Sequence, residues 1–198
     1  TFNITIYPKP SADFSADTLA GCQPFEVSFR VSNHQNGQTY LWDFDDEENS
    51  SYSYEPYPEH TFEDFGKFDI SLTVTSAQGC ENNKTVEDMI SVYKKPVANF
   101  YSDPIVASIV DPIFFFENMS SVKDSSLWDF GDGKTSFETN PFHSYSEINS
   151  YNVELIAVSD KGCRDTATSV IIVNDEYTFY APTAFSPGND DINDIFFV

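Results

Sequence analysis

Basic residues are scarce. Ten Lys and Arg stand against 32 Asp and Glu in 198 residues, for a formal net charge of -22. A chain this anionic cannot displace counterions from phosphate, and its largest basic cluster is the pair Lys94 and Lys95, so nucleic acid and anionic membrane surfaces are excluded as partners. Long apolar runs are missing too. The longest are Ile113–Phe116 and Val170–Val173, far short of the ~18 residues a membrane-spanning helix needs, so membrane insertion is not expected. The chain has no G-x-S-x-G, no H-E-x-x-H and no phosphate-cradling glycine loop. Its carboxylates sit in repeated turns, and catalysis finds no foothold; the chain reads as non-enzymatic. Eight Gly and 11 Pro are scattered as turn punctuation rather than collected into a low-complexity stretch.

What is present is apolar and aromatic. A hydrophobic content of 40% with 19 Phe is too high for a disordered acidic tail, so the chain folds. It also repeats itself. Leu41-Trp42-Asp43-Phe44-Asp45-Asp46 returns as Leu127-Trp128-Asp129-Phe130-Gly131-Asp132, a spacing of 86 from Trp42 to Trp128. Pro58-Glu59-His60-Thr61-Phe62 returns as Pro141-Phe142-His143-Ser144-Tyr145, and Gln78-Gly79-Cys80 as Lys161-Gly162-Cys163, both at a spacing of 83. The edges carry a third trace, because Ile4 to Phe14 matches Ile90 to Phe100. The expected organisation is the last strand of a preceding repeat over 1–10, one unit over 11–95, a second over 96–175, and a different segment from 176.

Within each unit the apolar period is two. Phe68, Ile70, Leu72 and Val74 alternate with polar residues, as do Phe25, Val27 and Phe29, and as do Tyr151, Val153 and Leu155. Short strands and frequent turns in about 80 residues predict an all-β fold, two antiparallel sheets packed face to face around one large aromatic. The only tryptophans, Trp42 and Trp128, are the expected centres.

These residues resemble the PKD (polycystic kidney disease) domain, an immunoglobulin-like β-sandwich with the signature W-D-F-G-D-G, then P-x-H-x-Y/F, then G-x-Y-x-V-x-L-x-V. The second unit has Trp128-Asp129-Phe130-Gly131-Asp132-Gly133 unaltered, while the first has Asp45 and Glu47 at the two glycine positions. Asn149 stands where the first unit has Gly66, and Asn tolerates the left-handed backbone that a turn glycine implies. The resemblance implies Trp42, Phe44, His60, Trp128, Phe130 and His143 as core signature positions. Neither His60 nor His143 has a second His or Cys nearby in sequence to complete a zinc site, so each is expected in a structural hydrogen bond under the sandwich edge. At the C-terminal end, Ala181-Pro182-Thr183-Ala184-Phe185-Ser186-Pro187-Gly188-Asn189-Asp190-Asp191-Ile192-Asn193-Asp194-Ile195-Phe196 is similar to the opening of the gliding-motility-associated C-terminal domain, the type B sorting signal of bacterial type IX secretion. That likeness implies export by the type IX machinery and an extracellular or cell-surface location.

Cys22 lies at the start of one strand and Cys80 after another, a placement that links two strand ends of one sandwich; the expected disulfide is Cys22–Cys80, with Cys163 left as a relic of the repeat. No cofactor is required, but some PKD domains bind calcium, and hard oxygen ligands are grouped at Asp43, Asp45 and Asp46, at Asp129 and Asp132, and at Asn189, Asp190, Asn193 and Asp194. The alternative for these acids is that they cap their own turns. Tyr52, Tyr54 and Tyr57 crowd one polar loop and are candidate glycan contacts. Thr18 and Thr166, in Asp-Thr-aliphatic tripeptides, resemble O-glycosylation acceptors of bacteria that use this secretion route. The whole reads as a passive spacer in an adhesin or surface filament whose partners are neighbouring repeats, itself or surface glycans. The rival reading is an accessory module that holds a secreted polysaccharide hydrolase or protease near its substrate.

Overall fold

A computed structural model describes residues 6–46, 51–121 and 124–176. The first unit is built from β1 (Phe14–Ala16), β2 (Ala20–Cys22), β3 (Phe25–Val31), β4 (Thr39–Asp43), β5 (Tyr52–Ser53), β6 (Glu59–Phe62), β7 (Gly66–Thr75) and β8 (Glu81–Tyr93). The second follows the same order with β9 (Phe100–Asp103), β10 (Val106–Ser108), β11 (Ile113–Asn118), β12 (Ser125–Asp129), β13 (Thr135–Ser136), β14 (Phe142–Ser144), β15 (Asn149–Val158) and β16 (Arg164–Asn174). Each forms a three-stranded sheet, β1-β3-β6 or β9-β11-β14, facing a five-stranded one, β2-β8-β7-β4-β5 or β10-β16-β15-β12-β13. All pairings are antiparallel except two: the short edge strands β2 and β10 run parallel to β8 and β16. Of the leading segment, residues 6–10 carry no strand.

The period-two pattern is realised as written. Phe68, Ile70, Leu72 and Val74 point inward from β7, and Tyr151, Val153, Leu155 and Ala157 from β15. The two cores are separate, one gathering Ala12 to Val92 and the other Phe114 to Val173. Each centres on a tryptophan with no solvent exposure, Trp42 or Trp128. Phe14 meets the first indole edge-on at 5.2 Å between centroids, and Phe100 meets the second at 5.1 Å. A buried indole must also satisfy its N–H. Trp42 Nε1 donates to the Glu55 carbonyl at 2.8 Å, and Trp128 Nε1 to the Glu138 carbonyl at 2.9 Å, so each core residue pins the loop that closes its own sheet edge.

Two local expectations are settled differently by the backbone. Gly66 and Asn149 open β7 and β15 with no left-handed φ, so Asn149 is there as an ordinary strand residue rather than as a glycine substitute. The left-handed position lies at Gly131, φ 74°, where an added Cβ would sit 2.6 Å from the Asn152 carbonyl oxygen. Asp45, its counterpart, adopts φ 55°. There the β7–β8 pairing shifts register between Phe68 and Ile70, beside Asp69, the counterpart of Asn152.

Separate cores make separate stabilities. Trp128→Ala should cost the second sandwich about 3–5 kcal/mol, seen as a lower urea midpoint by circular dichroism, while the transition reported by Trp42 fluorescence stays in place. Equal movement of both transitions would contradict two cores.

Candidate functional site

The turn after each tryptophan strand is the most elaborate local feature of the chain. The aspartate following the indole caps it: Asp43 Oδ1 accepts from Asp45 N at 3.1 Å, and Asp129 Oδ1 from Gly131 N at 2.9 Å. The last aspartate of the signature turns inward to the histidine. Asp46 Oδ2 lies 2.9 Å from His60 Nε2, and Asp132 Oδ2 lies 2.9 Å from His143 Nε2. Each imidazole in turn stacks on the signature phenylalanine, His60 on Phe44 at 4.4 Å and 12°, and His143 on Phe130 at 3.9 Å and 3°. The acid, the imidazole and the ring are one packed unit, repeated. The partner of each histidine is thus an aspartate of the signature turn, a pairing that the spacing of the motifs does not reveal.

Burial of the Asp132 carboxyl acts to raise its pKa, but hydrogen bonds from His143 and from Lys134 N outweigh it and hold the group below the usual carboxylate range. Burial pushes the Tyr145 phenol well above its ordinary value, with Asp132 adding to the effect. Its hydroxyl donates to the Phe130 carbonyl at 2.9 Å and so ties the same turn from the other side.

The candidate calcium ligands Asp43, Asp46, Asp129 and Asp132 are thus engaged as turn caps and imidazole partners, and Asp45 supplies the left-handed turn position. Among the described residues no group of three His, Cys, Asp or Glu side chains is arranged to hold a metal ion. Asn189, Asp190, Asn193 and Asp194, with the rest of the sorting-signal motif, lie outside the described residues. Tyr52, Tyr54 and Tyr57 are 59, 73 and 58% exposed on the loop whose backbone the Trp42 indole pins. Thr18 is exposed in a loop, its hydroxyl donating to Asp17 Oδ1 at 3.1 Å, and Thr166 faces solvent from β16.

The cysteines correct an expectation. Cys22 is bonded to Cys163, with 5.6 Å between their Cα atoms, and Cys80 is the free thiol. The Cys22–Cys80 bridge does not form because Cys22 ends the parallel edge strand β2 beside Tyr93, at the last residue of β8, whereas Cys80 lies at the opposite end of β8, next to its first residue, Glu81. Tyr93 borders the second sandwich, and the β15–β16 turn presents Cys163 there. Cys163 is therefore a functional half of the joint rather than a relic. The counterpart of Cys22 is Ser108, which sits opposite Asn174 as Cys22 sits opposite Tyr93.

The joint is held from both sides of its linker. The Lys94 ammonium lies 4.9 Å from the centroid of the Phe65 ring on the first sandwich, and Lys95 pairs with Asp165 of the second at 3.0 Å. Asp165 also accepts from Ala98 N at 2.8 Å; that bond, followed by Lys95, keeps its carboxyl below the ordinary range against the opposing effect of burial. Lys161, next but one to Cys163, stands 6.0 Å from the Tyr93 ring centroid. The bridge encloses a sequence separation of 141 residues, for which loop-closure entropy gives about 5 kcal/mol.

The depressed Asp132 pKa has a definite sign. A carboxyl lowered by folding adds stability that is present above its unfolded pKa and is lost as pH falls through the folded value. Asp132→Asn should therefore lower the stability of the second sandwich by about 1–3 kcal/mol at pH 7, and the deficit should close toward pH 3. A deficit unchanged in acid would contradict the charged assignment, and stability curves at the two pH values decide it.

The PKD domain family model matches residues 7–92 and 94–173. Over 86 residues the chain is 38% identical to collagenase ColQ1 of Bacillus cereus, and over 62 residues 45% identical to the pre-pro-metalloprotease PrtV of Vibrio cholerae, covering 41% and 29% of this chain. It spans only 9% and 7% of the length of those relatives. Among solved structures it is similar to the PKD1 domain of the Vibrio cholerae metalloprotease PrtV, at 40% identity over 41% of this chain and 99% of that one, with a TM-score of 0.36. The PKD1 domain of Vibrio anguillarum Epp matches at 32% identity over 41% and 96%, with a TM-score of 0.37. The family match over both tryptophan-centred sandwiches, residues 7–92 and 94–173, places this chain in the PKD domain family.

Proposed function

We propose that the chain is a non-catalytic, load-bearing spacer of an exported protein, and the observation that carries this reading is the bridge between Cys22 and Cys163. Disulfides persist in oxidising compartments, which supports an extracellular site. The bridge also sets the path of a pulling force. Tension that enters before Cys22 and leaves after Cys163 passes from sulfur to sulfur, so the backbone from Gln23 to Gly162, which carries both tryptophans, is shielded from it, and the load falls on β1, β2 and β16 outside the bridge. The net charge of -22 discourages like-charged neighbours from sticking together.

The finer reading is a spacer in a type IX-secreted adhesin or surface filament, supported by the sorting-signal likeness of Ala181–Phe196 and by the tandem repeat. The specific observation that favours the rival is the nature of the relatives, a collagenase and a metalloprotease; in that reading the chain is an accessory module that keeps a catalytic domain near its substrate. Both readings use the same stiff joint.

Single-molecule stretching tests it. The bridge should hide about 480 Å of contour length, from about 3.4 Å per extended residue, over the separation of 141 residues. Oxidised chains should extend by that much less than chains treated with reductant or carrying Cys163→Ser. Equal extension in the two states would overturn the load-path reading.

A further inference from the structure

Cys80 is free, yet its surroundings duplicate those of Cys163. In the first sandwich Ser76 N donates to the Cys80 carbonyl at 2.9 Å, Gly79 N to the Ser76 carbonyl at 2.8 Å, and Cys80 N to Ser76 Oγ at 3.1 Å. In the second, Ser159, Gly162 and Cys163 make the same three bonds at 2.9, 2.9 and 3.1 Å. Gly79 and Gly162 share φ 81°. The two thiols are thus presented by the same turn.

What faces them is also repeated. Cys163 bonds Cys22, which sits beside Tyr93 in the parallel register; the Tyr93 carbonyl accepts from Gln23 N at 3.0 Å. Tyr7 is the counterpart of Tyr93 in the Ile4–Phe14 and Ile90–Phe100 match, and Cys80 Sγ lies 3.9 Å from its carbonyl. The residue that marks the edge-strand cysteine at the occupied joint therefore lies against Cys80 as well. The second sandwich, with Ser108 in place of Cys22, offers no thiol onward at that position.

We infer that Cys80 is the receiving half of a second inter-module disulfide, whose partner is a cysteine on the parallel edge strand of another PKD module seated along residues 6–9. The bond forms by thiol–disulfide exchange: one thiolate attacks a mixed disulfide made by the other with oxidised glutathione or an equivalent disulfide oxidant. Two protein thiols lose two protons and two electrons, and the oxidant leaves as two thiols. The inference rests on the Cys22–Cys163 joint and not on the spacer reading, so it can fail while that reading stands.

The test rebuilds the missing neighbour from the chain itself. Residues 1–89 are joined to residues 4–198, so that Ile4 takes the place of Ile90 and the repeat boundary is kept. After folding in a glutathione buffer, the five cysteines should leave one free thiol, the Cys80 of the first copy, and peptide maps without reduction should link the first Cys22 to the second Cys80. Cys22→Ser in the first copy alone should raise the free thiols to two. Three free thiols in the parent, with the Cys22–Cys163 bridge intact as proof of a folded joint, overturn the inference. In protein isolated from its own cells, a Cys80 peptide cross-linked to an edge-strand cysteine supports it, and Cys80 alkylated without reduction overturns it.

Discussion

Two sandwiches with separate aromatic cores have no intrinsic reason to hold one mutual orientation, since small interfaces within a chain tolerate relative motion. Here the linker contributes one cation over an aromatic ring and one exposed ion pair, and such surface contacts are each worth at most about 1 kcal/mol. The covalent bond from Cys22 to Cys163 is of a different order. It joins the end of an edge strand on one module to a hairpin turn on the next. Everything proposed for the chain as a spacer depends on that bond, because neither aromatic core includes its two cysteines.

Inside each module a second economy operates. The signature Trp-Asp-Phe-x-Asp places four side chains close together in sequence, and the fold sends them to different tasks. The indole fills the core and holds a distant loop by its N–H, the first aspartate caps the turn, the phenylalanine stacks on the histidine, and the last aspartate accepts that histidine's hydrogen bond. The acidity of this turn is therefore structural, and the same four roles recur in the first module with Asp45 carrying the left-handed backbone.

Much of this was legible in advance. Period two in Phe68 to Val74 and in Tyr151 to Leu155 gave the inward faces of β7 and β15 directly, and the two lone tryptophans marked the centres. No second imidazole or thiol stands near either histidine in sequence, and each ring lies in a hydrogen bond with an aspartate of its own module. The cysteine pairing was not legible by the same means. Proximity along the chain favoured a bridge within one unit, whereas the pairing is decided by which end of β8 meets the next module, a fact that resides in the packing of two repeats. One sequence signal did point to it: Cys80 and Cys163 are counterparts at a spacing of 83, while Cys22 has none, so one unpaired edge-strand thiol faced two equivalent turns. The joint contacts of Lys94 and Asp165 were hidden for the same reason, each being an ordinary surface charge until the neighbouring module is in place.

Alkylating the unreduced 198-residue chain, digesting it and mapping its cysteine peptides by mass spectrometry tests the central claim most directly. The account predicts one cross-linked pair containing Cys22 and Cys163, with Cys80 recovered alkylated. A pair containing Cys22 and Cys80, with Cys163 alkylated, would contradict it.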